Sequence, residues 1–513
     1  MPRAIELEPS LGWINSPGPL RFDGDLAGRV VALFFYNAWR IESLQSVSDI
    51  AWLQSRFGMK GFVVVGVHGA RFPAEADVDA VRDQNEAIGL GVPVVVDRNF
   101  RIWRRYGIER WPTFVLIDAR GEIVGSADGV GNRRILERYI ADLVEAAPRS
   151  VPFHVEVTAP YETALRLPGG VEAFHSRVGR AGHLFVADTA GHRVIHATQP
   201  DAAGRAEVVA VFGDERGFAD GVASKASFNG PRGLAFDDRA GRLFVADSGN
   251  HAVREIDIAG RAVSTFVGTG KPGDDLRGGR AASEQPLNCP WDVVIDRRLK
   301  RLYVTMAGSH QLWQVERQTR VATRLAGVGG EGVVDGAAEH CRFAQPAGID
   351  IGSDGRYIYI VDGQGCAIRR FDLVDRELVT LVGVSGEQDV KGIAGDVDGM
   401  DGAARLQRPA GVCVWARAML NASGDELLVT DAHNGKLKRV ATGDRKVEAW
   451  ASGDGAFVGA EAIAMAAPAP GEGHTAQVFV ADTRKHQVTR IDTESGERTV
   501  IEFVGLEPSA GGR

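Results

Sequence analysis

The sequence predicts two parts: an α/β domain over residues 1–150 and an all-β propeller of six blades over residues 151–508, with 509–513 as a flexible tail. Two observations carry this. A strand phrase recurs six times along the last two thirds of the chain, as Leu184–Asp188, Leu243–Asp247, Leu302–Met306, Ile358–Asp362, Leu427–Asp431 and Val478–Asp482. Self-similarity at a near-constant period marks a repeat architecture before any single residue is interpreted. The first 150 residues instead alternate apolar strand runs with helical patterns, the order that builds a sheet with helices on its faces.

Val30–Phe35 is a continuous apolar run, as a strand buried on both faces requires. A helical pattern follows through Ile50, Trp52, Leu53 and Phe57, then a second strand over Gly61–Val67. A helix near Asp77–Ile88 leads to the strand Val92–Asp97. The strand Phe114–Asp118 comes next, and a helix over Ile135–Glu145 closes the unit.

In the repeat region the last residues of successive phrases are 59, 59, 56, 69 and 51 residues apart, counting Met306 as the third. Each unit has a Gly/Pro-rich lead-in, an apolar strand, the phrase, a polar turn and another strand, as in Ile256–Ile258 and Phe371–Leu373. Four short strands per unit with glycine-rich turns fit a propeller blade. His192, His251, His310 and His486 fall four residues after their phrases, with Cys366 and Gly435 in the same slot elsewhere. Equivalent turns sit at equal radius, too far out to converge on one ion, so these side chains are expected to satisfy backbone groups of the turn.

The string Asp247-Ser248-Gly249-Asn250-His251-Ala252-Val253 resembles the NHL-repeat signature. The strings Pro290–Val294, Met306–Gln311 and Gly395–Gly399 are similar to the NHL repeat-containing protein 2 family, Met306 included. The resemblance spans nearly the whole chain and implies an α/β thioredoxin-like N-terminal domain followed by an all-β six-bladed NHL-type β-propeller. In a thioredoxin-like domain, Pro112-Thr113 matches the cis-proline corner facing the active site, and Phe35–Trp39 matches the run into the redox motif. Where Cys-x-x-Cys should follow, the chain has Arg40-Ile41-Glu42-Ser43, and residues 1–288 hold no cysteine. Disulfide exchange needs a thiolate to attack and a second thiol to resolve the mixed disulfide. Neither Arg40 nor Ser43 supplies one, so the family's redox chemistry does not carry over. The corner of Arg40, Glu42, Ser43 and Pro112 is expected to survive as a docking surface, with the helix N-terminus available to an anion or a carboxylate.

Composition narrows the function classes. Apolar content of 44% and charged content of 25% are ordinary for a globular protein. A net charge of −8 without a basic cluster argues against nucleic-acid binding. No apolar stretch is long enough to span a bilayer, and no basic-then-apolar leader opens the chain. Cytoplasmic location with four reduced, buried thiols (Cys289, Cys341, Cys366, Cys413) is therefore expected, and the sequon Asn421-Ala422-Ser423 is expected to carry no sugar. No phosphate-binding loop, nucleophile elbow or zinc motif is present.

The innermost strands are expected at Gly233–Phe236, Asp292–Ile295, Gly348–Ile351, Gly411–Val414 and Ala462–Met465. Arg232, Trp291, Asp292, Gln345, Arg408 and Glu461 then ring the channel mouth, a set suited to a polar or anionic ligand. The longest insertion, residues 383–408, carries Asp389, Asp396, Asp398 and Asp401. Alternate carboxylates before glycine resemble a calcium loop, so calcium or another divalent metal is its candidate occupant. The closing glutamate is missing, however, and Asp-Gly pairs at Asp220-Gly221 and Asp335-Gly336 favour a turn. The expected function is a non-catalytic scaffold binding a protein or a small polar or anionic ligand. The alternatives are a lyase or hydrolase, possibly metal-assisted, with its site at the propeller mouth or between the domains, and a thiol-redox protein by family analogy, which the missing cysteines disfavour.

Overall fold

The computed structural model describes residues 1–148, 153–155, 163–174, 182–296, 298, 300–386, 394–400, 402–415, 424–451, 456–466 and 476–508. The predicted tail 509–513, the sequon at Asn421, and Asp389 and Asp401 lie outside them. The chain divides into two compact units, Met1–Pro160 and Tyr161–Arg513. Among the described residues no helix is long and apolar enough to cross a membrane.

The first unit is a six-stranded sheet of β1 (Gly12–Ile14), β2 (Val30–Tyr36), β3 (Phe62–Gly69), β4 (Val94–Asp97), β5 (Thr113–Ile117) and β6 (Ile123–Asp128). Its spatial order is β1-β4-β3-β2-β5-β6, with β2, β3 and β4 parallel and the outer pairings antiparallel. Strand β2 explains its own sequence. Val30, Ala32, Phe34 and Tyr36 enter one core while Val31, Leu33 and Phe35 enter the other, so no position faces water. Helix α1 (Ile41–Gln45) follows the turn after β2, and α2 (Val47–Phe57) buries Val47, Ile50, Leu53 and Phe57, a helical spacing. Helix α3 (Val78–Ile88) starts at Asp77, whose side chain accepts the Ala80 N–H, and stops at left-handed Gly89. Helix α4 (Arg101–Arg105) and strands β1 and β6 were not anticipated; all three are short or lie at the sheet edges, where apolar periodicity is weakest. Helix α5 (Arg133–Ala146) buries Leu136 and Ile140.

The second unit is six sheets, each built on four consecutive antiparallel strands; blades two and four add a short outer strand from their own lead-ins, Gly221–Val222 and Gly336–Ala337, and blade one adds a fifth strand from the end of the chain. The innermost strands are Gly170–Phe174, Pro231–Asp237, Pro290–Asp296, Pro346–Ile351, Val412–Trp415 and Ala460–Ala466. The recurring phrase is the second strand of each blade, buried from its second residue onward. Its terminal aspartate clasps the lead-in of its own blade. Asp247 accepts the Asn229 N–H on Oδ1 and pairs with Arg254 at 2.9 Å on Oδ2. Asp362 repeats this with Ala344 and Arg369. The arginine then reaches the Asp-Gly turn of the lead-in, Arg254 to Asp220 at 2.6 Å and Arg369 to Asp335 at 2.8 Å.

The same clasp accounts for Asp396 and Asp398 of the long insertion. In blade five Lys438 holds the arginine's place, and its ammonium lies 2.8 Å from Asp396 and 2.7 Å from Asp398, while Lys436 also pairs with Asp396 at 2.5 Å. Asp398 accepts the Ala449 N–H, as Asp220 accepts that of Thr265 and Asp335 that of Thr380. The cation these aspartates attract is a lysine of the next strands. Among the described residues no group of three or more His, Cys, Asp or Glu side chains is placed to hold a metal ion.

The histidines also act differently from the expectation. His192, His251, His310 and His486 adopt left-handed backbone, and each Nδ1 accepts an N–H from the next blade: Gly230 at 3.1 Å, Cys289 at 3.0 Å, Gln345 at 3.0 Å and Leu167 at 3.2 Å. They join blades rather than close their own turns. Thr189, Ser248 and Thr483 add hydroxyl bonds to the carbonyls of Pro231, Pro290 and Pro168 in the following blade.

Blade six meets blade one through the same His486 and Thr483 bonds, and a further strand completes the ring. Glu502–Val504 pairs in parallel with Arg205–Glu207 on the outer edge of blade one. Arg490 of blade six donates to the carbonyls of Asp201 and Ala202 at 2.7 and 3.0 Å. Phe503 is 8% exposed in the core shared by blades six and one. Phe503→Ala should therefore lower the stability of the propeller by about 3 kcal/mol, read as a shift in its denaturation midpoint. His251→Gly keeps the left-handed turn but strands the buried Cys289 N–H; a loss of about 1–3 kcal/mol is expected in the same measurement.

Candidate functional site

The corner of the first unit retains its geometry without its thiols. The peptide bond Trp111–Pro112 is cis. Thr113 pairs across from Phe35, so Pro112 borders the segment leading to Arg40. Asn37 organises the turn: its side chain accepts the Trp39 N–H at 2.9 Å and donates to Gly69 O at 2.9 Å and to Glu75 Oε2 at 2.6 Å. Ser43 is buried, and its hydroxyl accepts the Asn37 N–H at 3.2 Å. Arg40 precedes α1 and pairs with Glu42 at 3.4 Å. Both thiol slots are thus tied into local structure. Beneath them lies His68, which periodicity did not flag. It is fully buried, edge-on to the rings of Tyr36 and Trp39, with neither ring nitrogen hydrogen-bonded. Burial drives its pKa down to about 3, so it is neutral.

The second site is the propeller channel, a cavity of about 250 Å³ lined by the innermost strands. Its mouth is built from a repeated lead-in, a left-handed residue followed in five blades by proline: Leu167, Gly230, Cys289, Gln345 and Arg408 before proline, and Gly459 before alanine. Two residues further on, the blades carry Gly169, Arg232, Trp291, Ala347, Ala410 and Glu461. Small residues in blades one, four and five leave room for large ones in two, three and six. Arg232 rests on the Trp291 ring, its guanidinium 4.0 Å from the ring centroid, and lies 3.9 Å from Glu461. Gly169 packs closely on Thr189, whose hydroxyl oxygen a Cβ there would meet at 2.5 Å. Glu461 receives two hydrogen bonds from Arg408, at 2.6 and 3.4 Å. Four of the sequence-predicted mouth residues therefore converge. Burial pulls Arg232 down to about 10 against the attraction of Glu461. Burial also opposes ionisation of Glu461, but Arg408 and Arg232 outweigh it and hold its carboxyl below the usual range.

Asp292, the fifth, does not join them. It occupies the position where four other blades have glycine, and its oxygens accept the N–H groups of Val293 at 2.8 Å and of Ile349 in blade four at 3.1 Å. Asp350 repeats the pattern one blade on, accepting from Ile351 at 2.7 Å and from Val414 at 2.7 Å. Glu172 does the same from blade one toward Phe236, at 3.4 Å. Glu172 and Asp350 were missed; each lies five residues after the left-handed lead-in residue, a spacing legible only once the blades are aligned. Burial raises Asp292 to about 7 and Asp350 to about 6, with donated N–H bonds opposing the rise.

The fold and these two sites define a class: a thioredoxin-like domain joined to an NHL-type β-propeller. A thioredoxin-like family model matches residues 28–123 and an NHL-repeat model residues 228–256. NHL repeat-containing protein 2 of Bos taurus is 30% identical over 534 residues, covering 97% of this chain and 71% of its own. The chain belongs to the NHL repeat-containing protein 2 family. Protein SUPPRESSOR OF QUENCHING 1, chloroplastic, of Arabidopsis thaliana is 32% identical over 530 residues, 98% of this chain, which spans about half (48%) of that relative. Over the first unit, the thiol-disulfide oxidoreductase ResA of Bacillus anthracis is 28% identical across 116 residues, 23% of this chain and 64% of its own.

The Asp292 carboxyl supplies a pH prediction. Its folded pKa of about 7 lies above the unfolded value near 4, so the folded state alone holds the proton between the two. The stability this contributes is present below about pH 4 and is lost as pH rises through about 7. Asp292→Asn, neutral throughout, should gain about 1–2 kcal/mol relative to the unsubstituted protein between pH 5 and pH 8, read from paired denaturation curves.

Proposed function

We propose that this protein is a non-catalytic binding scaffold in which the thioredoxin-like domain serves as a docking surface and the propeller mouth receives a small polar ligand. One observation carries the reading: both thiol slots of the redox turn are filled by Arg40 and Ser43, and both side chains are engaged in the turn itself. A thiolate is the nucleophile in disulfide exchange, and none lies in the first 288 residues. The four cysteines of the propeller are all buried, and burial raises the Cys341 thiol to about 11 and Cys413 well above its ordinary value, which suits packing rather than exchange.

Two measurements on the full chain test this. In an insulin-reduction assay the protein should add nothing to the rate of the reductant alone, and a rate above that background would overturn the reading. Elemental analysis of the purified protein should find no stoichiometric metal; a metal at one per chain would favour a metal-assisted lyase or hydrolase at the mouth. Arg40→Cys with Ser43→Cys should restore a reducible disulfide, seen as a two-thiol difference in alkylation with and without reductant. Failure to form it would refute the placement of these residues at the redox positions.

A further inference from the structure

One stretch of the first unit departs from the net negative charge of the chain. Arg98, Arg101, Arg104 and Arg105 fall close together, and no acidic residue lies between Asp97 and Glu109. All four arginines are exposed, while Ile102 among them is buried. At about 3.6 residues per turn, Arg101, Arg104 and Arg105 share the outer face of α4, with Arg98 just ahead of it. The face is held from behind. Asp97 is fully buried, and its oxygens accept the N–H groups of Arg101 at 2.7 Å and Trp103 at 2.9 Å. Trp103 packs edge-on to Phe100 and tilts against Trp111, with ring centroids 5.6 and 5.1 Å apart. Trp111 precedes the cis Pro112, so the arginine face adjoins the corner of the redox turn.

Little on the domain answers this charge. Glu8 approaches Arg101 at 3.8 Å, and Arg105 donates to the Glu6 carbonyl at 3.4 Å. Among the described residues Arg98 and Arg104 have no ion pair. On α5, by contrast, the exposed Arg134 and Arg138 are interspersed with Glu137, Asp142 and Glu145. An unpaired face of one sign attracts an oppositely charged partner without first breaking an existing pair.

We propose that the outer face of α4 docks an acidic segment of a partner protein. The proposal rests on the reading of this domain as a docking surface and names the chemistry of what docks. Side-chain carboxylates suit the planar fork of a guanidinium. From Arg101 to Arg105 the face is about 6 Å long, and wider with Arg98, the reach of about two to four residues of extended chain. A nucleic acid fits this face less well, because the rings of Phe100, Trp103 and Trp111 pack against one another instead of standing open to bases.

Fluorescence anisotropy of the full-length protein with fluorescein-labelled octaglutamate tests this, with octalysine and single-stranded octathymidylate as comparisons. Octaglutamate should bind with a Kd below about 1 mM at about 20 mM salt, and about fivefold more weakly at about 200 mM, where charges are screened. Arg98→Glu with Arg104→Glu, both exposed, should weaken binding about tenfold while the far-ultraviolet spectrum stays that of the unsubstituted protein. The same charge change on α5, Arg134→Glu with Arg138→Glu, should alter it less than about twofold. The proposal fails if octaglutamate does not bind below about 1 mM, if octalysine or octathymidylate binds as tightly, or if the α5 variant loses as much as the α4 variant. Should the α4 reversal not fold, Arg98→Gln with Arg104→Gln takes its place, with a loss of about threefold expected. Thiol activity in the insulin assay would leave this titration standing, and a failed titration would leave the insulin and metal results standing, so the two readings fall separately.

Discussion

The propeller depends on a buried carboxylate that ties the end of one strand to the loop feeding its own blade. Asp188, Asp247, Asp362, Asp431 and Asp482 are fully buried, and each accepts a backbone N–H from that loop. A buried charge is tolerated only when its acceptors are used and a cation is near. Most blades supply Arg or Lys for this, on the turn or the next strand, and blade five adds Asn434. Because the loop so fixed also carries the left-handed residue that donates to the preceding blade, one side chain sets both the fold within a blade and the docking between blades.

Blade three shows how far this can be varied. Met306 replaces the aspartate, and seven residues on, where Arg254 and Arg369 stand in their blades, lies Trp313, buried in the same core. The carboxylate and the guanidinium have been exchanged together for two apolar side chains. Gln311 takes over the polar work, accepting from the Trp313 indole at 2.9 Å and donating to the carbonyls of Leu276 and Gly327. Replacing both members of a buried ion pair with well-packed apolar groups is far less costly than removing one, which is why the exception comes as a pair.

Much of this was legible in the sequence because it is local. The double-sided burial of β2, the six blades and the turn role of the Asp-Gly pairs all follow from patterns within a few residues. The convergence of Arg232, Trp291, Arg408 and Glu461 also followed, since blade symmetry places equivalent residues at one height in the channel. What escaped was the contact between blades. The partners of His251 and Asp292 lie 38 and 57 residues away, and no short-range pattern links them. The isolation of His68 is likewise invisible, because it depends on which side chains fail to reach it.

The closing strand has a bearing on how the molecule is made. Every blade is built on four consecutive strands, so the body of each can form from chain that has just emerged from the ribosome. The bond between Glu502–Val504 and the edge of blade one spans about 300 residues, and it can form only after all six blades have been translated. Until then blade one leaves its outer strand, Arg205–Phe212, unpaired at that edge, an open template for any other extended segment. The nascent propeller thus passes through an interval of vulnerability that the finished ring does not share.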